Sequence, residues 1–156
     1  MATIVTAGTE IIRAHHFRLP SAVGPHVLIY GEQHHIYTVL SIICHCSYDS
    51  VGNANDGLTV GIRSYDSIAG GDATGDTFIF VHKDAEIKGR DTFVWNDKFS
   101  FNGYEPADFT GPMDDETKQN AIAAQAGGVT QKLYATKGHA NDSWHIHVTF
   151  IDQNNS

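Results

Sequence analysis

Along this chain apolar and polar residues alternate with a period of two in short runs, and clusters of glycine, asparagine and aspartate separate the runs. A two-residue period sends successive side chains to opposite faces, so it predicts β-strands. The first run, Val27-Leu-Ile-Tyr30, is closed by Gly31. In the next, Tyr37 to Cys46, the period puts Leu40, Ile42, Cys44 and Cys46 on one face and Val39, Ser41, Ile43 and His45 on the other. The second face is also fairly apolar, which predicts a strand covered on both sides. A turn cluster, DSVGNAND at 49–56, leads into Leu58, Val60 and Ile62 alternating with Thr59, Gly61 and Arg63. Thr77 to His82, Thr92 to Trp95 and Lys98 to Phe101 continue the series, the last two joined by a turn or bulge at Asn96-Asp97. The final run is the clearest: Trp144, Ile146, Val148 and Phe150 take the inward positions, and His145, His147, Thr149 and Ile151 the outward ones.

One stretch reads as helix. Acidic residues open Asp114 to Ala126, good helix formers follow, Pro112 precedes it and Gly127-Gly128 ends it. Short strands at hairpin-like spacing with a single helical excursion predict an all-β fold. The expected architecture is an antiparallel jelly roll or β-sandwich with one short helical insertion near 113–126.

The 156 residues suffice for one domain with its own core, so 1–156 is read as a single β-sandwich domain. A formal charge of −8, with 18 acidic against 10 basic residues, argues against a surface that tracks phosphates, and no nucleic-acid partner is expected. No apolar run approaches the roughly 18 residues a membrane helix needs. The start, Met1-Ala-Thr-Ile-Val-Thr, lacks the basic and apolar regions of a signal peptide. No membrane partner is expected, and synthesis in the cytosol is. Ile4, Val5, Ile11, Ile12 and Phe17 lie ahead of the first convincing turn and are more apolar than a free tail should expose. Residues 1–17 are therefore read as an N-terminal interface arm.

The order of elements resembles small β-sandwich virion proteins of tailed bacteriophages, including head decoration (cement) and neck or tail accessory proteins. The resemblance rests on Tyr37-Thr-Val-Leu-Ser-Ile-Ile, Leu58-Thr-Val-Gly-Ile-Arg, Asp84-Ala-Glu-Ile-Lys-Gly-Arg-Asp-Thr-Phe93 and the closing His145-Ile-His-Val-Thr-Phe-Ile-Asp-Gln153. These are patterns of alternation and turn, and the segment from Pro106 to Gly128 departs from them. The resemblance implies a non-enzymatic protein of the virion that forms a homo-oligomer, a trimer, and stabilises the particle by contacts with itself and with the major capsid or another virion protein.

Ten histidines raise the question of metal, and His15-His16, His34-His35 and His145-x-His147 stand close together. Residues two apart on a strand share a face, which makes His145 and His147 the candidate ligands; consecutive histidines point to opposite faces and cannot chelate alone. A cupin would follow such a pair with a carboxylate, whereas here Val148, Thr149 and Phe150 follow. The commitment from sequence is accordingly no metal and no cofactor. Cys44 and Cys46 fall on one face of one strand, too far apart for good disulfide geometry, and read as reduced core residues. Asp72 and Asp76 occupy a Gly-rich loop without EF-hand spacing. No Gly-x-Ser-x-Gly elbow or Gly-x-x-x-x-Gly-Lys phosphate loop is present, so no catalytic residue is assigned. The alternative function is a carbohydrate-binding or receptor-binding sandwich in which aromatics such as Trp95 and Trp144 form a stacking platform.

Overall fold

Two long strands carry the architecture of the computed structural model, which describes residues 9–49, 57–64, 77–85, 89–105 and 129–154. β3 (His35–Tyr48) and β11 (Ser143–Asn154) pair antiparallel along their whole length, from His35 opposite Asn154 to Tyr48 opposite Ser143. β1 (Thr9–Arg18) pairs with the free side of β11. On the other side of β3 lie β6 (Thr92–Trp95) and β7 (Phe99–Asn102), so this sheet runs β1-β11-β3-β6 with β7 also on β3. The second sheet runs β2-β10-β4-β5, from β2 (His26–Tyr30), β10 (Lys132–Lys137), β4 (Leu58–Ser64) and β5 (Thr77–Ala85). β8 (Tyr104–Glu105) and β9 (Val129–Thr130) form a small ladder of their own.

The chain crosses between sheets from β1 to β2, β2 to β3 and β3 to β4, returns for β6 and β7, and crosses again at β10 and β11. All pairings are antiparallel, and the order defines a jelly roll, as the alternation predicts. The helix expected near 113–126, the turn residues 50–56 and the Gly-rich loop with Asp72 and Asp76 lie outside the described residues.

The inward face of β11 matches its sequence pattern: Trp144, Ile146, Val148 and Phe150 are buried, and the intervening residues are partly exposed. They meet Leu28, Ile29, Leu58, Val60, Ile62, Leu133 and Ala135 of the other sheet in one cluster. Full burial of each such aliphatic side chain stabilises the fold by roughly 1.5–3 kcal/mol. Cys44 and Cys46 are free thiols inside this core, as expected. Burial pushes the Cys44 thiol up to about 12 and Cys46 to about 11, so both stay protonated and unreactive at neutral pH.

β3 departs from a simple period of two. Ser41 opposes Thr149 and Val39 opposes Phe150, so Leu40 is an extra residue in the ladder. The bulge shifts the period: Tyr37 and Val39 join Ile42, Cys44 and Cys46 inside, while Leu40 is only partly buried. The expected grouping of Leu40 with Ile42 is therefore corrected. So is the expectation of cover on both sides, because Ile43 on the outer face is 36% exposed.

β6 and β7 do not form a hairpin. Both lie antiparallel to β3, with Trp95 opposite Ile42 and Phe99 opposite Val39, so they are two pieces of one interrupted edge.

The sheets are also tied at a glycine pair. Gly31 N–H donates to the Gln131 carbonyl (2.9 Å), Gln131 N–H to Gly103 (3.0 Å) and Gly103 N–H to His35 (2.8 Å). A Cβ on Gly103 would run into the backbone of Glu32 and sit 3.0 Å from the Tyr37 ring. Backbone atoms cannot step aside as a flexible side chain can, so Gly103→Ala is expected to destabilise the fold by about 3 kcal/mol, seen as a lower urea midpoint with an unchanged slope.

Candidate functional site

Two surface features follow from the way β1 joins the sheet. The first is an open edge. β1 pairs with β11 from Thr9 opposite Asn154 to Arg18 opposite His145 without a register shift, and its other side has no partner among the described residues. The register sends Ile11, Arg13, His15 and Phe17 toward the other sheet and Ile12, Ala14, His16 and Arg18 away from it. Yet only Phe17 is partly buried, and the other residues of the strand are exposed. Ile11 remains 45% and Ile12 72% exposed.

Of the expected interface residues, Ile11 and Ile12 thus stand on exposed strand, and Phe17 packs against the chain's own core. Ile4 and Val5 lie outside the described residues. Sequence reading assigned the whole stretch to an arm; the structure folds Thr9–Arg18 into the sheet as β1.

Between β1 and β2 the sandwich opens into a cleft of about 180 Å³ lined by Arg13, His15, Tyr30, Glu32, Tyr37 and Asp152, among others. Asp152, on the inward face of β11, is buried in the cleft wall. Arg13 Nε donates to Oδ2 at 2.9 Å and His35 Nδ1 to Oδ1 at 2.6 Å. A carboxylate only accepts, which fixes the His35 proton on Nδ1. His35 Nε2 also lies 3.6 Å from Glu32 Oε2. The Tyr37 hydroxyl accepts from Glu32 N–H at 3.1 Å, and burial pushes its pKa up to about 12. This network pins β1 and the start of β3 to the end of β11.

The second feature is a histidine face. On the outer side of the β1-β11-β3-β6 sheet, one row reads Arg18, His145, His45, Thr92 and the next His16, His147, Ile43, Val94. Sequence reading singled out His145 and His147, set His16 aside with its neighbour His15, and passed over His45; the strand register is what brings His16 and His45 alongside. His16 Nε2 and His145 Nδ1 are 3.0 Å apart, with ring centroids 5.2 Å apart and planes within 7°. Rings that close at their nitrogens and that far apart at their centres lie side by side in one plane, sharing an N–H···N hydrogen bond, rather than stacking face to face. His45 Nδ1 lies 2.9 Å from Thr92 Oγ1. Partial burial, then the neighbouring His16, Arg18 and His45, hold the His145 pKa below the ordinary histidine value, so it is neutral at pH 7. Among the described residues, no three His, Cys, Asp or Glu side chains are set as they stand to hold a metal ion. His45 also points away from Cys44 and Cys46, so the Cys-His-Cys run makes no ligand set.

Of the aromatics considered for a sugar platform, Trp144 is fully buried and Trp95 packs against the core, its Nε1–H donating to the Asp97 carbonyl at 3.2 Å. No helix among the described residues is long and apolar enough to cross a membrane.

No known protein family matches the chain, and neither does any curated protein. Solved structures similar to it include a chain of the disulfide-linked pili formed by Bacillus endospore appendages, at 11% identity and a TM-score of 0.42, over 100% of this chain and 97% of that one. Another is the decameric BFDV capsid protein, at 11% identity and a TM-score of 0.30, over 94% and 98% of the two chains. The class of fold is set by the strand order itself.

The Asp152 network makes the first site-level prediction. Asp152→Ala removes the acceptor of two charge-assisted hydrogen bonds, and unfolding in urea should show a loss of about 2 kcal/mol.

Proposed function

We propose that this protein is a structural, non-enzymatic subunit that works by associating with copies of itself through β1. The observation that supports this most is the exposure of β1 on both faces, together with an edge that has no partner among the described residues. An unpaired edge presents a row of N–H and C=O groups ready to pair with another strand, and folded proteins shorten, bend or cover such edges. Of the other described edges, β6 and β7 are four-residue pieces, β2 has five residues, and β5, though nine residues long, pairs with β4 through two register shifts. β1 keeps ten residues in unbroken register. Added pairing there would continue the sheet and remove Ile11 and Ile12 from water together.

In finer detail, we propose a decoration (cement) protein of a tailed-phage head, present as a homotrimer that contacts the major capsid protein and reinforces the lattice. The strand and turn patterns of the sequence support this reading. An interface of about 1,600 Å² per contact would suffice.

Light scattering after size exclusion should give three times the 17.0 kDa chain mass. Ile12→Lys, at an exposed position whose substitution should change monomer stability by no more than about 0.5 kcal/mol, should shift the mass to that of one chain. A mass of one chain for the unmodified protein at all concentrations would sink the proposal. A defined oligomer that fails to co-sediment with phage heads would keep self-association and remove the capsid role.

A further inference from the structure

We infer that His16, His145 and His147 form a binding site for an imidazole-preferring divalent ion, of which zinc is the type, on the outer face of the sheet. Antiparallel pairing sets His16 directly opposite His147, and His145 lies two residues away on the same face. Each of the three is thereby a neighbour of the other two, across one strand pair. A His-x-His on one strand with a third histidine on the adjoining strand allows three imidazoles, once turned, to meet at one point above the sheet, with a fourth position left for water. That donor set and open position suit zinc.

The side chains are already partway there. His16 Nε2 and His145 Nδ1 approach to 3.0 Å. Two nitrogens on one zinc ion at tetrahedral geometry are about 3.3 Å apart, from Zn–N bonds of about 2.0–2.1 Å. Their separation has to widen by a few tenths of an ångström, and both rings have to turn out of the line of the hydrogen bond so that their lone pairs meet at one ion. The shared proton must leave the gap: the donor ring takes the other neutral tautomer, its proton passing through solvent to the remote nitrogen, so binding needs no net proton release. His147 then turns toward the pair, an adjustment within the ordinary rotamer freedom of a partly exposed side chain.

The surroundings decide which ion. In the two rows that hold the histidines, the other residues are Arg18, Ile43, Thr92 and Val94, with no carboxylate among them. Hard cations such as calcium and magnesium need oxygen donors and are disfavoured, whereas neutral imidazole suits zinc, copper and nickel. Because one ligand lies on β1 and two on β11, a bound ion would also clip the exposed edge strand to its neighbour.

The test is titration of the full chain, made without a polyhistidine tag, with zinc chloride alone at pH 7.5, followed by calorimetry and by NMR of the histidine rings. One zinc per chain is expected, with the ring signals of His16, His145 and His147 shifting together. His16→Gln and His145→Gln should each weaken binding at least about tenfold, since disturbing even an outer partner of a ligand costs that much. His26→Gln, on β2 away from the site, should leave binding unchanged. Absence of saturable binding, or binding that survives the His16→Gln/His145→Gln double variant in a protein with an unchanged circular dichroism spectrum, would overturn the inference. So would shifts confined to other histidines in the unmodified chain.

Discussion

The pairing of β11 between β1 and β3 is the constraint from which the other features follow. Because a strand alternates its side chains with a fixed period, burying Trp144, Ile146, Val148 and Phe150 forces His145, His147, Thr149 and Ile151 to the opposite face. Register then carries the effect to the neighbours. With Phe17 opposite Ile146 and Cys44 opposite the same residue, the flanking positions His16 and His45 must also face outward. The core and the histidine face are thus two sides of one hydrogen-bonded ladder, and a slip by one residue would exchange them.

The same ladder explains why β1 is both secure and exposed. Ten residue pairs hold it to β11, and the Arg13–Asp152 contact and the packing of Phe17 fasten it from the inner side. Nothing described lies across its other edge. The Arg13 side chain is 43% exposed, so its ion pair contributes little by itself, whereas the Asp152 side chain is 10% exposed and depends on its partners. A strand anchored on one side and open on the other suits pairing with a further copy, which is the basis of the proposed structural role.

Much of the fold was legible in the sequence because burial writes a pattern. β11 and β4 read correctly to the residue on their inward faces, where alternation is strict. β3 misled by one step, since a bulge at Leu40 breaks the period without any glycine or proline to mark it. β10 went unread: Leu133, Tyr134 and Ala135 are consecutive and all buried, so no alternation shows. β1 was seen as an apolar arm because a strand exposed on both faces carries no burial pattern at all. The histidine face was half legible. His145 and His147 share a strand and could be paired from spacing, but His16 lies 129 residues from His145 and meets it only through register.

Residue-resolved hydrogen exchange at increasing protein concentration addresses most directly whether β1 is an open edge that other copies complete. Half of the β1 amides point toward β11 and half away from it, as antiparallel pairing requires. The account predicts that in dilute protein the outward half exchanges fast while β3 and β11 stay protected near the global limit, and that concentration slows the outward half alone. Outward β1 amides that exchange equally fast at every concentration, or that are already protected in the lone chain, would contradict it.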